Sequence, residues 1–292
     1  MLQSATTLCS TALLRILAVF AIGALLAACQ TSRVGYPNTP VDKAVGSAAN
    51  LNSLSQVVEA APQDPNAYNT RGIAYAKAGR LDDALVDFNT ALQINPRSYQ
   101  AYANRALVYR RLNKPQEALA DYTSALLINK DYTVALNGRG NTYRSLGQYN
   151  AALRDFNAVI RLNSGDARAY HNRGLIYQAQ GLDQAALNDF SSAIGYNSRA
   201  YSPLLARGVL YLKRGDAKSA LKDLNAALAL NSRLAPAWAN KGLAEEQLGE
   251  RKNARKSYNR AVGYDRSNQI ARDGLARLNQ GRPAVQVERD AS

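Results

Sequence analysis

A sequence repeat of constant length runs from Pro65 to Asn268 without an insertion, and it constrains the fold more than any other feature of the sequence. Position 20 of the repeat is Ala in all six copies, position 8 is Gly or Ala, and position 11 is Tyr in the first five. Positions 4, 8 and 11 share one helical stripe, and positions 20, 24 and 27 share another. Each copy is therefore predicted to be a helical hairpin that buries its apolar face only by stacking on its neighbours. The copies are residues 65–98, 99–132, 133–166, 167–200, 201–234 and 235–268.

The residues between the predicted helices follow the same period. Position 15 is Gly in five copies and Asn113 in the second copy, which suits the residue that follows a first helix. Position 31 is Asn in five copies and Asp265 in the sixth, and it is predicted to close the second helix. The whole pattern resembles the tetratricopeptide repeat (TPR) from residue 65 to residue 268. The resemblance implies an all-α TPR solenoid of six helical hairpins with capping helices.

The segments on either side of the repeats are predicted to cap the array. Residues 51–64 are predicted to form an N-terminal capping helix, because Leu51 to Ala60, followed by Pro62, resembles the second helix of an incomplete repeat. Residues 269–279 are predicted to form the C-terminal capping helix, which covers the last hairpin with a polar outer side. Residues 280–292 are expected to be a disordered tail.

Residues 1–29 resemble a bacterial lipoprotein signal. The uninterrupted apolar segment extends only from Ile16 to Ala28, which is too short for a bilayer span of about 20 residues but sufficient for a secretory signal. Leu26-Ala27-Ala28-Cys29 resembles the lipobox, which implies cleavage of residues 1–28 and lipidation, including palmitate, of Cys29. Residues 29–50 would then be the lipidated Cys and a flexible tether. From the residues alone, an ordinary signal peptide with an incidental Cys and an uncleaved anchor stay open.

The residue after the lipobox bears on the destination of such a lipoprotein. Inner-membrane lipoproteins of enterobacteria tend to carry Asp at that position, whereas this chain carries Gln30. The resemblance therefore implies an outer-membrane protein that is held by its lipid and faces the periplasm.

Scarce residue types limit the chemistry that the chain can perform. It contains one His, His171, and two Cys, Cys9 and Cys29. A His/Cys zinc site of ordinary composition is thereby excluded, and a Cys–His or Ser–His–Asp arrangement would have His171 as its only base. We therefore predict no metal, no cofactor and no enzyme activity. The net charge of +14 favours an anionic partner, although nucleic acid is not expected behind a lipoprotein signal.

Charged residues at positions 7 and 23 change together along the repeats. The first five copies carry Arg at position 7 and Asp at position 23, whereas the sixth carries Lys241 and Ser257. This pattern predicts structural ion pairs, because the planar guanidinium can meet a carboxylate with two hydrogen bonds. A ladder of arginines that binds anions is the alternative. The predicted pairs are Arg71 with Asp87, Arg105 with Asp121, Arg139 with Asp155, Arg173 with Asp189, and Arg207 with Asp223.

The TPR resemblance also implies a binding groove along the first helices, at positions 2, 5, 9, 12 and 13. Its middle is basic and rich in amides, whereas its C-terminal third, with Leu205, Val209 and Leu243, is apolar. Such a surface suits an extended peptide with a carboxylate and a few apolar side chains. Ordinary solvation of these charges is the alternative, and the carboxylate clamp of chaperone-binding TPR domains is absent. The predicted groove residues are Lys77, Arg110, Arg111, Asn137, Asn141, Arg144, Arg168 and His171.

Positive charge is concentrated at the C-terminal end of the array. The fifth and sixth copies carry net charges of +4 and +3. A solvated outer surface and a contact with anionic lipid, wall polymer or an acidic protein are both compatible with this asymmetry. The basic side chains concerned are Lys213, Arg214, Lys218 and Lys222 in the fifth copy, and Arg251, Lys252, Arg255, Lys256 and Arg260 in the sixth.

Two functions agree with all these features. The chain is similar to lipoproteins of the NlpI type, which implies a non-catalytic scaffold for envelope enzymes such as cell-wall hydrolases and proteases. It is equally similar to pilotin-like TPR lipoproteins of the PilF/PilW or TadD type, which implies a role in assembling a secretin or a type IV or Tad pilus. An enzyme is the third hypothesis, and no constellation of residues supports it. Dimerisation through the end helices is left open.

Overall fold

A computed structural model describes residues 45–280, and within this range the chain forms fourteen α-helices and no strands. The predicted all-α repeat fold is confirmed. No helix in this range is long and apolar enough to cross a bilayer. The predicted signal peptide, Cys29, the tether up to residue 44 and residues 281–292 of the tail lie outside the described residues. The helices are α1 (Ala48–Ala60), α2 (Pro65–Lys77), α3 (Leu81–Ile94), α4 (Tyr99–Arg111), α5 (Pro115–Ile128), α6 (Thr133–Ser145), α7 (Tyr149–Leu162), α8 (Ala167–Ala179), α9 (Asp183–Tyr196), α10 (Tyr201–Lys213), α11 (Ala217–Leu230), α12 (Ala235–Gln247), α13 (Arg251–Tyr264) and α14 (Gln269–Asn279).

Each repeat is an antiparallel pair made of a first helix of 13 residues and a second helix of 14 residues. Every first helix, from α2 onward, approaches the first helix of the next repeat. No two second helices in the described part of the chain approach each other in the same way. The array therefore curves with its first helices on the inner side. We call the inner side, formed by α2, α4, α6, α8, α10 and α12, the groove, and the side formed by the second helices the outer face.

The two helices of a repeat close on each other through small residues. The Ala at position 20 is fully buried in every repeat, for example Ala84 and Ala254. A Cβ added to Gly72 at position 8 would lie 2.8 Å from the Phe88 ring at position 24. The aromatic ring thus occupies the space that a larger side chain at position 8 would take, which is why position 8 carries only Gly or Ala.

The predicted turn residues lie where the backbone requires them. Gly79 has φ of +81° and Asn113 has φ of 57°, so position 15 adopts the left-handed conformation that ends a first helix. Asn95, at position 31, is the C-cap of α3, and its side chain accepts a hydrogen bond from the Arg97 N–H at 3.0 Å. The turns are therefore built from local hydrogen bonds that the sequence repeats in every copy.

Both ends of the array are covered by single helices. Helix α1 begins at Ala48, inside the segment predicted to be the tether, because the Ser47 hydroxyl caps it by accepting from Asn50 N–H. At the other end, Arg277 of α14 donates to the buried carboxylate of Glu246 at 2.9 Å. Glu246 occupies a groove position in the sequence pattern, but α14 covers it. Helix α14 therefore closes the groove at Glu246.

Candidate functional site

Five arginine–aspartate pairs join the two helices of the first five repeats. In the pair Arg139–Asp155, Nε donates to Oδ2 at 2.9 Å and Nη2 donates to Oδ1 at 2.8 Å. Asp155 is buried, and the hydrogen bond to it is the main reason why the pKa of Arg139 lies above its usual value. The same paired geometry holds Arg71 to Asp87, Arg105 to Asp121, Arg173 to Asp189, and Arg207 to Asp223.

The same arginines also connect neighbouring repeats, a contact that the sequence analysis missed. The third nitrogen, Nη1, donates to the side chain at position 25 of the preceding repeat, for example from Arg105 to Asn89 at 2.7 Å and from Arg207 to Ser191 at 2.9 Å. Position 25 carries a polar residue in every repeat that takes part, which is the signal that could have revealed the contact. These arginines already use all three nitrogens, so they are structural groups with little capacity for a ligand.

A cavity of about 360 Å³ opens in the groove between the second and fifth repeats. Its walls come from α4, α6, α8 and the start of α10, and one ring from a second helix, Tyr122, lies among them. Because four consecutive repeats contribute, the cavity exists only when the array is stacked. Five of the predicted groove residues line it, namely Arg110, Asn137, Asn141, Arg168 and His171.

Three predicted groove residues do not line this cavity. Arg111 is exposed and turns toward the first repeat, where its Nη1 donates to the carbonyl of Ala76 at 2.8 Å. Lys77 is exposed at the end of α2, one repeat away from the cavity. Arg144 is half-buried beside the cavity, close enough for its charge to act on His171.

Buried polar atoms without partners mark this part of the groove. They are the Oδ1 atom of Asn137, the Nε atom of Arg144 and the Nδ1 atom of His171. Asn137 is held in place because its Nδ2 donates to Oδ2 of Asp166 at 3.1 Å, while the Asp166 Oδ1 caps α8. A buried donor or acceptor without a partner destabilises the folded protein by about 1–3 kcal/mol. Three such atoms lie on the adjacent third and fourth repeats, and an ordered water or a polar ligand would satisfy them.

The charges at the cavity are unbalanced. Burial and the neighbouring charge of Arg110 lower the pKa of Arg144 below its usual value. Burial, together with the charge of Arg144, lowers the pKa of His171 to about 4, so this imidazole is neutral at pH 7. Neither Arg110 nor Arg144 forms an ion pair with a carboxylate among residues 45–280. The arrangement can therefore bind an anion.

Asp166 accepts a hydrogen bond from Asn137 of the cavity, and its charge is already stabilised by other groups. Burial works against its ionisation, but hydrogen bonds from the Ala169 and Arg168 backbone N–H groups and the Arg168 side chain outweigh this and hold its pKa below the ordinary value. The Arg168 guanidinium lies 3.3 Å from Oδ2 and is largely exposed. Asp166 therefore acts as a helix cap and supports Asn137, and it leaves Arg110 and Arg144 without a counter-charge.

A tyrosine at position 24 shapes the floor of the cavity, and the sequence analysis did not single it out. A Cβ added to Gly138 would lie 2.3 Å from the Tyr122 ring, so Gly at position 6 makes room for that ring. The same combination recurs at the end of the array, where Gly274 accommodates Tyr258. Tyr at position 24 followed by Gly at position 6 of the next unit occurs only in these two places and could have served as a signal.

The two tyrosines also meet residues at the same repeat position. Tyr258 donates its hydroxyl to Glu246, at position 12 of the sixth repeat, at 2.7 Å. Tyr122 lies against Arg110, at position 12 of the second repeat, and burial raises the pKa of Tyr122 although Arg110 opposes this effect. At the end of the array, Arg277 neutralises Glu246. In the cavity, no described residue neutralises Arg110.

The position-7 and position-23 pair is replaced in the sixth repeat by a different buried contact. Glu245, which stands where the first five repeats carry Tyr, accepts a hydrogen bond from Ser257 at 2.6 Å and lies 3.8 Å from Lys241. Burial raises the pKa of Glu245 above its ordinary value.

No cluster of three or more His, Cys, Asp or Glu side chains that could hold a metal occurs in the described part of the chain.

Comparisons with known sequences identify the repeats. Sequence models described as tetratricopeptide repeats match residues 65–98, 99–132, 167–199 and 235–268, and a further TPR repeat model matches residues 140–181. No curated protein matches the chain.

Solved structures share the fold at low sequence identity. A chain of the APC/C hetero-tetramer Cut9-Hcn1 matches with a TM-score of 0.71 and 17% identity. The match covers 81% of this chain and 48% of that chain. PilF of Pseudomonas aeruginosa matches with a TM-score of 0.67 and 20% identity, covering 73% of this chain and 96% of its own. YrrB, described as a TPR protein with an unusual peptide-binding site, matches with a TM-score of 0.51 and 21% identity, covering 65% and 97%. At these identities the likeness concerns the fold alone.

Proposed function

Because this chain belongs to the tetratricopeptide repeat family, we propose that it is a non-catalytic scaffold whose groove binds an extended segment of a partner protein. The observation that carries the proposal is the cavity beside Arg110 and Arg144, two cations with no carboxylate partner in residues 45–280. A carboxylate of the partner would enter here, because a guanidinium binds a carboxylate with short charge-assisted hydrogen bonds.

The amide groups of the cavity suit the backbone of the same partner. Asn137 and Asn141 both line it, and an amide side chain can donate to a peptide carbonyl and accept from a peptide N–H. Asn141 is half-buried on the cavity wall, so its amide can reach the backbone of a partner. Apolar residues beside the cavity, among them Leu107 and Val134, are exposed and can contact side chains of the partner. The site therefore favours an extended acidic segment with a few apolar side chains.

The N-terminal segment supports a proposal for the cellular role. We propose that Cys29 carries lipid and holds the scaffold at the periplasmic face of the outer membrane, where it organises envelope enzymes such as cell-wall hydrolases or proteases. The support is the lipobox-like Leu26-Ala27-Ala28-Cys29. A pilotin-like role in assembling a secretin or pilus is the second candidate, since a lipid-anchored TPR scaffold suits it equally.

A pull-down from detergent-solubilised envelopes tests the groove and separates the two roles. The bait is the full chain, and it is compared with an Arg110→Gln/Arg144→Gln variant. A variant with Lys114→Gln and Arg161→Gln, both exposed and outside the cavity, removes the same charge and serves as the matched control. Wall hydrolases or proteases lost only from the first variant support the scaffold role, and a secretin or pilus component supports the pilotin-like role. Equal retention of proteins by all three baits refutes the groove assignment.

The anchor is tested separately. Labelling with radioactive palmitate is expected to mark the wild-type chain and not a Cys29→Ser variant, which should leave the membrane fraction. Absence of label from the wild type would refute the lipid anchor while leaving the groove proposal intact.

A further inference from the structure

A second cavity, of about 310 Å³, lies on the outer side of the sixth repeat, away from the groove. It opens where the arginine–aspartate pair of the other repeats is missing, because position 23 is Ser257 and position 7 is Lys241. Its walls hold three cations and one carboxylate, and that carboxylate already accepts from Ser257. The main lining residues are Trp238, Lys241, Glu245, Lys256, Ser257 and Arg260.

Trp238 gives the cavity a rigid wall. Its Nε1 donates to the carbonyl of Ser232 at 2.8 Å, which fixes the ring. The guanidinium of Arg260 lies 4.5 Å from the ring centroid and the ammonium of Lys241 lies 5.2 Å from it. Both cations are thus held in place by cation–π contacts. Lys241 also lies 3.8 Å from Glu245, so Lys256 and Arg260 are the cations of the cavity that form no ion pair among residues 45–280. Two such cations beside a polar cavity favour a compact anion such as a phosphate.

The cavity is continuous with a regular array of lysines. Positions 18 and 22 of the last two repeats carry Lys218, Lys222, Lys252 and Lys256, which are all exposed on the second helices α11 and α13. In the first four repeats the same two positions hold a single cation, Arg154. None of the four lysines forms an ion pair within residues 45–280. The charge of this surface is therefore available to an external partner.

We infer that the outer face of the last two repeats, made by Lys218, Lys222, Lys252, Lys256 and the Trp238 cavity, docks on a membrane surface of anionic phospholipids, with one headgroup phosphate in the cavity. An array of exposed lysines suits many separate monovalent headgroups, since each cation gains from the negative surface potential independently. An acidic peptide would need partners for its backbone, and this face leaves no buried side-chain polar atom of its cavity unpaired. Docking by the outer face leaves the groove accessible.

Vesicle sedimentation with residues 45–280 tests this inference. This fragment contains the whole stacked core and both terminal helices, so it can fold without residues 1–44, and it carries no lipid to obscure the result. Binding is measured on vesicles of pure phosphatidylcholine and on vesicles in which phosphatidylglycerol replaces one third of it, at low and at high salt. We expect binding only to the anionic vesicles and its loss at high salt, since the Debye length falls to about 3 Å at 1 M.

Two variants locate the surface. Replacing Lys218, Lys222, Lys252 and Lys256 by Gln should weaken binding at least tenfold, whereas a control with Lys114, Lys130, Arg154 and Arg161 replaced by Gln should change it less than threefold. Ser257→Asp restores the aspartate of the other repeats and should weaken binding at least threefold by placing a carboxylate in the cavity. Melting curves verify that each variant is folded.

The inference is overturned if wild-type residues 45–280 do not sediment with the anionic vesicles, or if the two fourfold variants lose affinity equally. It is also overturned if an acidic peptide binds this face while the vesicles do not. If the Ser257→Asp variant binds the vesicles like the wild type, the statement that a headgroup phosphate enters the cavity is wrong. None of these results depends on the groove or on Cys29. Failure of the membrane-docking inference can therefore be distinguished from failure of the scaffold proposal.

Discussion

Replacing Arg139 by Ala removes one of the five arginine–aspartate pairs and is expected to destabilise the array strongly. The substitution leaves Asp155, which is only 5% exposed, without its two hydrogen bonds from the guanidinium. Removing one partner of a buried ion pair costs about 3–5 kcal/mol. The Arg139 side chain is 21% exposed, so water can partly replace it, and we expect about 2–4 kcal/mol.

Arg144 provides the matched control, since it lies on the same helix. It is half-buried as well, but its Nε has no partner and the charge of Arg110 opposes its own. Truncation to Ala therefore removes an unfavourable charge together with some packing, and we expect a change of less than about 1 kcal/mol.

Urea unfolding followed by circular dichroism measures both variants, with Arg139→Ala/Asp155→Ala as a third. The double variant should be more stable than Arg139→Ala alone, because it no longer buries an unpaired carboxylate. Equal loss of stability in Arg139→Ala and Arg144→Ala would refute the reasoning. So would a double variant that is less stable than Arg139→Ala.

Three further predictions follow from other contacts. The pKa of His171 is about 4 in the folded chain and 6.5 in the unfolded chain, so the unfolded state binds the proton first. Stability should be complete above about pH 6.5 and fall by up to about 3 kcal/mol toward pH 4, and urea unfolding of His171→Gln should lack that part of the loss. Gly138→Ala places a Cβ against a tyrosine ring and should destabilise by about 1–3 kcal/mol, whereas Gly195→Ala, with no atom within 4 Å, should stabilise by up to about 1 kcal/mol in thermal melts. Arg277→Ala removes the counter-charge of buried Glu246, so hydrogen exchange of α14 should accelerate at least tenfold while exchange in α6 stays unchanged.

The repeating features of the fold could be predicted because each depends on contacts within a single repeat. Position 15 requires a left-handed residue in every copy, and the position-7 arginine meets the position-23 aspartate of the same copy in the first five. Such local contacts recur in the sequence at a fixed spacing, so a single chain contains several independent examples of each.

The candidate site could be predicted only in part. Five predicted groove residues line the cavity, but Arg111 turns to the carbonyl of Ala76, and the groove position of Glu246 is covered by α14. Long charged side chains on one helical stripe can point to either neighbouring repeat. Their direction depends on the partner available there.

The sequence by itself determined the hairpins, their number, their stacking and the paired charges between their helices. These features depend on residue types that recur at the same positions of every repeat, or of the first five for the paired charges. Only the tertiary structure decided which cations lack a counter-charge, where a cavity opens and which end of the groove is closed. Arg110 and Arg144 lie in different repeats, and His171 in a third. Their burial and mutual repulsion arise from the stacking of three repeats, a property that no single repeat contains.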